Sequence, residues 1–124
     1  MRLLLDTHVV LWWLLDDVRL SDETKALIDE EPDVYLSAAS VWEIAIKQAV
    51  GKLKEPAGLP ERLRDSEFND LPIRTEHAIV AGRLPLIHRD PFDRILIAQA
   101  RCEDLTLVTG DPQIRRYDVA VLAV

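Results

Sequence analysis

The chain has 124 residues, which fit one domain spanning 1–124 and leave little room for a second. Its one cysteine, Cys102, excludes an intrachain disulfide, and the longest apolar run, Val9 to Leu15, is too short to cross a bilayer. A net charge of −7 argues against a broadly basic surface for gripping phosphates, so a polyanion would be held by local Arg and Lys residues and by metal ions.

No basic start, uninterrupted apolar stretch and small-residue cleavage site marks a leader, so the protein reads as cytoplasmic. In chain order, Arg2 to Leu5 predicts a buried first strand ending at an acid. His8 to Leu15 reads as a helix, and Ser21 to Glu31 as an amphipathic helix capped by Ser21 and broken at Pro32-Asp33. Val34 to Leu36, bounded by Ser37, predicts the second strand. Ala38 to Val50 predicts a helix with Ala38, Val41, Trp42, Ala45 and Ala49 on one stripe, closed by Gly51. A loop, Lys52 to Gly58, leads into a short polar helix from Pro60 to Glu67, a brief strand at Leu71 to Ile73 and a helix over Thr75 to Leu84. Asp90-Pro91 opens the most apolar helix, Phe92 to Cys102, whose girth marks it as buried. Leu105 to Val108 and Val119 to Val124 predict the last strands, separated by a turn at Gly110-Asp111-Pro112. Strands alternating with helices are the pattern of a parallel sheet covered on both faces.

Four acids fall at positions where such a sheet binds ligands, beyond the carboxyl ends of its strands. Asp6 follows the first strand and Asp111 the penultimate one; Glu43 and Asp93 lie early in helices that could lean over the same edge. Four converging oxygen donors suit a hard cation such as Mg²⁺. Each acid also has a purely structural reading. Asp6 could cap the helix beginning at Thr7, and Asp111-Pro112 could be a cap followed by proline at the first helical position. Asp90 and Asp93 could serve only a helix start, and Glu43 could pair with Lys47 one turn on. What favours the metal reading is that Glu43 stands inside the apolar frame Val41-Trp42-Glu43-Ile44-Ala45-Ile46, where a merely solvated acid would be out of place.

Other chemistry finds less support. His8, His77 and His88 lack zinc-ligand spacing, no glycine-rich phosphate loop occurs, and Cys102 reads as a small buried hydrophobe. Trp12, Trp13 and Trp42 read as core or interface residues.

Four segments together resemble the PIN-domain ribonucleases, in particular the VapC toxins of bacterial toxin–antitoxin pairs. They are Leu4-Leu5-Asp6-Thr7-His8, Leu36-Ser37-Ala38-Ala39-Ser40-Val41-Trp42-Glu43-Ile44, the run from His88 to Ala100 containing Asp90-Pro91-Phe92-Asp93-Arg94, and Leu107-Val108-Thr109-Gly110-Asp111. The likeness extends over essentially the whole chain. It implies an α/β/α sandwich and places the family's four acids on Asp6, Glu43, Asp93 and Asp111, with Asp90 as an extra acid beside the third. Thr7 and Thr109 match hydroxyl positions next to those acids. It further implies Mg²⁺ or Mn²⁺ as cofactor, RNA as substrate, a homodimer, and inhibition by a small antitoxin.

The expected mechanism is metal-assisted hydrolysis of a phosphodiester, with the four acids as ligands and Arg89 and Arg94 as candidates for phosphate contact. Two rivals belong to other classes. A receiver-like signalling module would want a second acid beside the first and a lysine near the fifth strand, but Thr7-His8 follows Asp6 and no lysine occurs after Lys54. A nuclease fold serving only as an interaction partner would not need all four acids.

Overall fold

A computed structural model describes residues 1–54 and 56–124; Glu55, within the expected loop from Lys52 to Gly58, lies outside the described residues. Among the described residues, five strands form one fully parallel sheet: β1 (Leu3–Leu5), β2 (Val34–Ser37), β3 (Asn69–Leu71), β4 (Thr106–Thr109) and β5 (Val121–Ala123). Their spatial order is β3-β2-β1-β4-β5, so the first strand lies at the centre. The chain winds outward from β1 through β2 to β3, then returns to the other side for β4 and β5. The reversal falls between β1 and β4, where Leu3 is in register with Thr106 and Leu5 with Val108.

The pleat divides the core by residue parity. Leu3, Leu5 and Val108 pack on one face with Val9 and Val10 of α1 (Thr7–Leu14), Ile28 of α2 (Asp22–Glu30), Ile44 of α3 (Ala38–Ala49) and Leu59 and Leu63 of α4 (Leu59–Arg64). Leu4 and Leu107 point the other way. They meet Leu84, which follows α5 (Thr75–Arg83), and Leu96, Ile97 and Ala100 of α6 (Pro91–Glu103). The result is the expected three-layer α/β/α sandwich. Three consecutive leucines in β1 reach full burial because helices cover both sides.

Several boundaries differ from expectation. The third strand is Asn69–Leu71, not Leu71 to Ile73, because the backbone that pairs with Tyr35, Leu36 and Ser37 is the polar stretch just before Pro72. Short edge strands carry little hydrophobic signal. The helix expected at Pro60 to Glu67 runs from Leu59 to Arg64 and is anchored by buried Leu59 and Leu63. A 3₁₀ turn at Ile114–Arg116 had no counterpart in the pattern. Ser21 caps α2 by accepting from the Thr24 amide, and Gly51 takes the left-handed conformation just past α3 with φ of 77°.

The apolar stripe of α3 is only partly buried: Val41 packs against the core and Trp42 is 61% exposed, while Ala39, Ser40, Glu43 and Ile44 are buried. This helix is apolar on more than one side, so periodicity alone could not choose which side turns inward. Packing against α1, α4 and α6 settles it, with the Thr7 hydroxyl donating to Ser40 Oγ at 3.1 Å. Trp12 and Trp13 are partly buried against the core, as expected; Trp42 instead packs edge-on to Phe92 at the surface. Cys102 is only partly buried.

Ser37 ties β2 to α6. Its hydroxyl accepts from the Ala39 amide, capping α3, and donates to Gln99 Oε1 at 2.6 Å, while Gln99 Nε2 donates to the Pro72 carbonyl at 3.3 Å. Both side chains are wholly buried. Ser37→Ala should therefore remove a cap and leave a buried amide oxygen unpaired, costing about 2–4 kcal/mol in a urea unfolding titration.

Candidate metal centre

The sequence-predicted acids converge on the carboxyl end of β1 and β4, at the point where the strand order reverses. Asp6 is the N-cap of α1: Oδ1 accepts from the Val9 amide at 2.9 Å. Its other oxygen accepts from the Thr109 hydroxyl at the end of β4. That hydroxyl also accepts from the Asp111 amide at 3.0 Å, so one threonine sets the positions of two acids. The capping and the ligand readings of Asp6 are thus compatible, since the carboxylate caps the helix while lying at the strand edge. Asp111 likewise accepts through Oδ1 from the Gln113 amide at 2.8 Å and keeps Oδ2 for the cluster.

Glu43 is 7% exposed. Its Oε2 pairs with Lys47 Nζ at 3.1 Å, the one-turn pair expected of an α-helix. Its Oε1 is buried with no hydrogen-bond partner among the described residues. A buried carboxylate oxygen left bare costs roughly 1–3 kcal/mol or more, and a cation is the partner that would relieve it. Asp90 caps α6 through Phe92, one turn before Asp93.

Asp93 carries the strongest electrostatic signature. Burial pushes its carboxyl up to about 7; Asp90 adds to the rise, His88 opposes it, and Asp6 and Glu43 contribute further. Asp6 is raised in the same sense by burial, against the Thr109 and Val9 hydrogen bonds. Asp6 and Glu43 thus lie near enough to Asp93 for their charges to be felt there.

A further group, His88, was not anticipated as a site residue. Its Nε2 lies 2.8 Å from Asp93 Oδ2 and 3.1 Å from Asp111 Oδ2. The three donor atoms lie within 4.8 Å of one another, as an ion's ligands would. Sequence spacing could not single it out, because it sits on an irregular loop and the other members of its cluster are acids 5 and 23 positions on. The loop itself is held from two sides. The His88 amide donates to Tyr117 Oη at 2.7 Å, and Tyr117 Oη donates to the Pro85 carbonyl at 2.8 Å. From the other side, Arg94 donates to the carbonyls of Ala81 at 2.8 Å, Leu84 at 3.0 Å, Pro85 at 3.0 Å and His88 at 3.3 Å.

This placement changes the expectation for Arg94. Its guanidinium is committed to backbone carbonyls and clamps the loop between α5 and α6 rather than facing phosphate. Arg89 is exposed beside Asp90, with no side-chain hydrogen bond among the described residues.

A family model of the PIN domain matches residues 3–120. The chain belongs to the PIN-domain family. Among individual relatives, ribonuclease VapC22 of Mycobacterium tuberculosis is 30% identical over 122 residues, covering 92% of this chain and 90% of that protein. Ribonuclease VapC16 of the same organism is 39% identical over 67 residues, covering 50% of this chain and 46% of that protein. Among solved structures, FitAcB from Neisseria gonorrhoeae is similar at a TM-score of 0.71 with 29% identity, covering 97% of this chain and 96% of that one. VapBC2 from Rickettsia felis, solved with a promoter DNA fragment, reaches 0.77 over 99% of this chain and 98% of that one at 15% identity, a likeness of fold alone.

Two outcomes test this geometry. The folded metal-free protein holds the Asp93 proton more tightly than an unfolded chain, whose aspartates titrate near ~3.9. The stabilisation from that proton is complete below about pH 4 and is lost as pH rises through about 7. In EDTA, wild type should melt at progressively lower temperature from about pH 5 to about pH 8, and Asp93→Asn should flatten that slope. Arg94→Met keeps the aliphatic stem but releases four carbonyls, and should cost about 2–4 kcal/mol by chemical denaturation.

Proposed function

We propose that this protein is a divalent-metal-dependent endoribonuclease and the toxin of a toxin–antitoxin pair. The observation that carries the reading is the carboxylate cluster of Asp6, Glu43, Asp93 and Asp111 at the sheet's switch point, with one oxygen of buried Glu43 lacking any partner among the described residues. The family membership supports it, as does the naming of two relatives as ribonucleases. The toxin assignment draws on similarity to toxin–antitoxin assemblies, one of them a complex from Klebsiella pneumoniae at 22% identity.

Asp6, Glu43 and Asp93 would hold Mg²⁺ or Mn²⁺, directly or through water, and Asp111 would complete the shell. When bound, the cation polarises the phosphate and lowers the pKa of the attacking water. The protein's own residues do the rest. Thr109 keeps Asp6 and Asp111 in fixed orientation, and Lys47 neutralises one oxygen of Glu43 while leaving the other for the site. Asp90 caps the helix that carries Asp93 and holds that carboxylate at the rim. Arg89, exposed beside Asp90, would contact a phosphate, which fits a chain whose net charge offers no broad basic face.

The half-exposed stripe of α3, with Trp42, Val41 and Ala45 facing Leu63 and Phe68 across a shallow groove, offers apolar surface to a partner. An antitoxin or a second copy of the chain would cover it. The rival reading as a non-catalytic interaction module has no account for a buried, unpartnered glutamate oxygen beside three further acids.

Purified protein with Mg²⁺ or Mn²⁺ should cleave single-stranded RNA and stop in EDTA. Asp6→Asn, which retains the helix cap, should lower the cleavage rate by at least ~100-fold while leaving the metal-free melting temperature equal or higher. Undiminished cleavage in EDTA, or by Asp6→Asn, would sink the reading.

A further inference from the structure

We propose that His88 is itself a metal ligand, so that the centre is a mixed nitrogen–oxygen site that prefers a first-row transition dication such as Mn²⁺ to Mg²⁺. This rests on the metal-dependent reading above and adds to it a ligand and a selectivity. The geometry carries the argument. Donor atoms bound at about 2.1 Å to one ion in octahedral arrangement stand about 3.0 Å apart along each edge. His88 Nε2 lies 2.8 Å from Asp93 Oδ2 and 3.1 Å from Asp111 Oδ2, so the nitrogen already stands at adjacent-ligand spacing from both oxygens, and the three atoms lie within 4.8 Å of one another. The backbone that carries the ring is also held in place, because Tyr117 accepts from its amide and Arg94 donates to its carbonyl.

A nitrogen donor changes what the site selects. Mg²⁺ takes oxygen ligands and keeps several waters, whereas imidazole binds transition dications better. A bound cation would require the ring proton on Nδ1, which would leave the Nε2 lone pair facing the space between the two aspartates. A contrasting cluster shows what a histidine not built for this looks like. His77 is fully buried between Glu76 and Glu103, but its Nδ1 accepts from the Arg74 amide at 2.9 Å. The proton must then be on Nε2, which lies 3.5 Å from Glu103 Oε2 with no hydrogen-bond partner among the described residues and has no lone pair for a metal.

The competing role for His88 is a counter-ion that fills the carboxylate pair and leaves when the metal arrives. Pulsed electron paramagnetic resonance on the full-length protein loaded with Mn²⁺ separates the two, using material labelled with ¹⁵N-histidine. A directly bound imidazole gives a nitrogen hyperfine coupling in wild type that is lost in His88→Gln and kept in His8→Gln. Calorimetric titration should show Mn²⁺ affinity falling by roughly 10–100-fold in His88→Gln, with a much smaller loss for Mg²⁺. Bound Mn²⁺ without nitrogen coupling overturns the proposal, as does a His88→Gln protein that binds Mn²⁺ as tightly as wild type or more so. In either case Asp93→Asn should still lose Mn²⁺, which leaves the carboxylate site standing. A folded wild type that binds neither ion overturns the metal-dependent reading and this proposal together.

Discussion

Carboxylates gathered out of water repel one another, and the fold holds several of them together at one sheet edge. Two such charges about 6 Å apart at an effective dielectric of about 20 repel by roughly 3 kcal/mol. Burial adds to the penalty by weakening hydration. The chain offsets this with specific devices. Asp6 receives one helix amide and one hydroxyl, Glu43 receives a lysine, Asp111 receives an amide, and Asp93 remains the member whose proton is held to about 7. Carboxyl groups raised in this way cluster at functional sites.

The sheet topology makes the gathering possible. Because β1 is central and fully buried, the residue that follows it emerges at the middle of the carboxyl edge, beside the end of β4. Thr109 spans the gap between those two strands and couples the acids that follow each. Helices α3 and α6 bring Glu43 and Asp93 to the same place, and the buried Ser37–Gln99 hydrogen bond fixes the end of β2 against α6. Stability and site geometry therefore meet in the same residues: the groups that cap helices also set the arrangement of the carboxylates.

Much of this was legible in the chain. The alternation of strands and helices indicated a parallel sheet, and acids placed just past apolar strands pointed to the ligand-binding edge, because both signals are local. Glu43 could be singled out because a charge inside an apolar frame is conspicuous. What escaped was whatever depended on distant partners. Ser37 and Gln99 are 62 positions apart, and His88 meets Asp111 across 23. Arg94 sits beside a key acid in sequence, but its side chain turns toward carbonyls before and after the loop, so sequence adjacency suggested the wrong role. The burial of α3 turned on tertiary contact with α1, α4 and α6, which a helix apolar on two sides does not reveal.

The central claim is that this cluster exists to hold a divalent cation. Crystals soaked in Mn²⁺, with diffraction collected to measure its anomalous scattering, test that most directly. The account predicts an anomalous peak within about 2.5 Å of carboxylate oxygens from at least two of Asp6, Glu43, Asp93 and Asp111. Strong anomalous density elsewhere on the protein with none at this edge would contradict it.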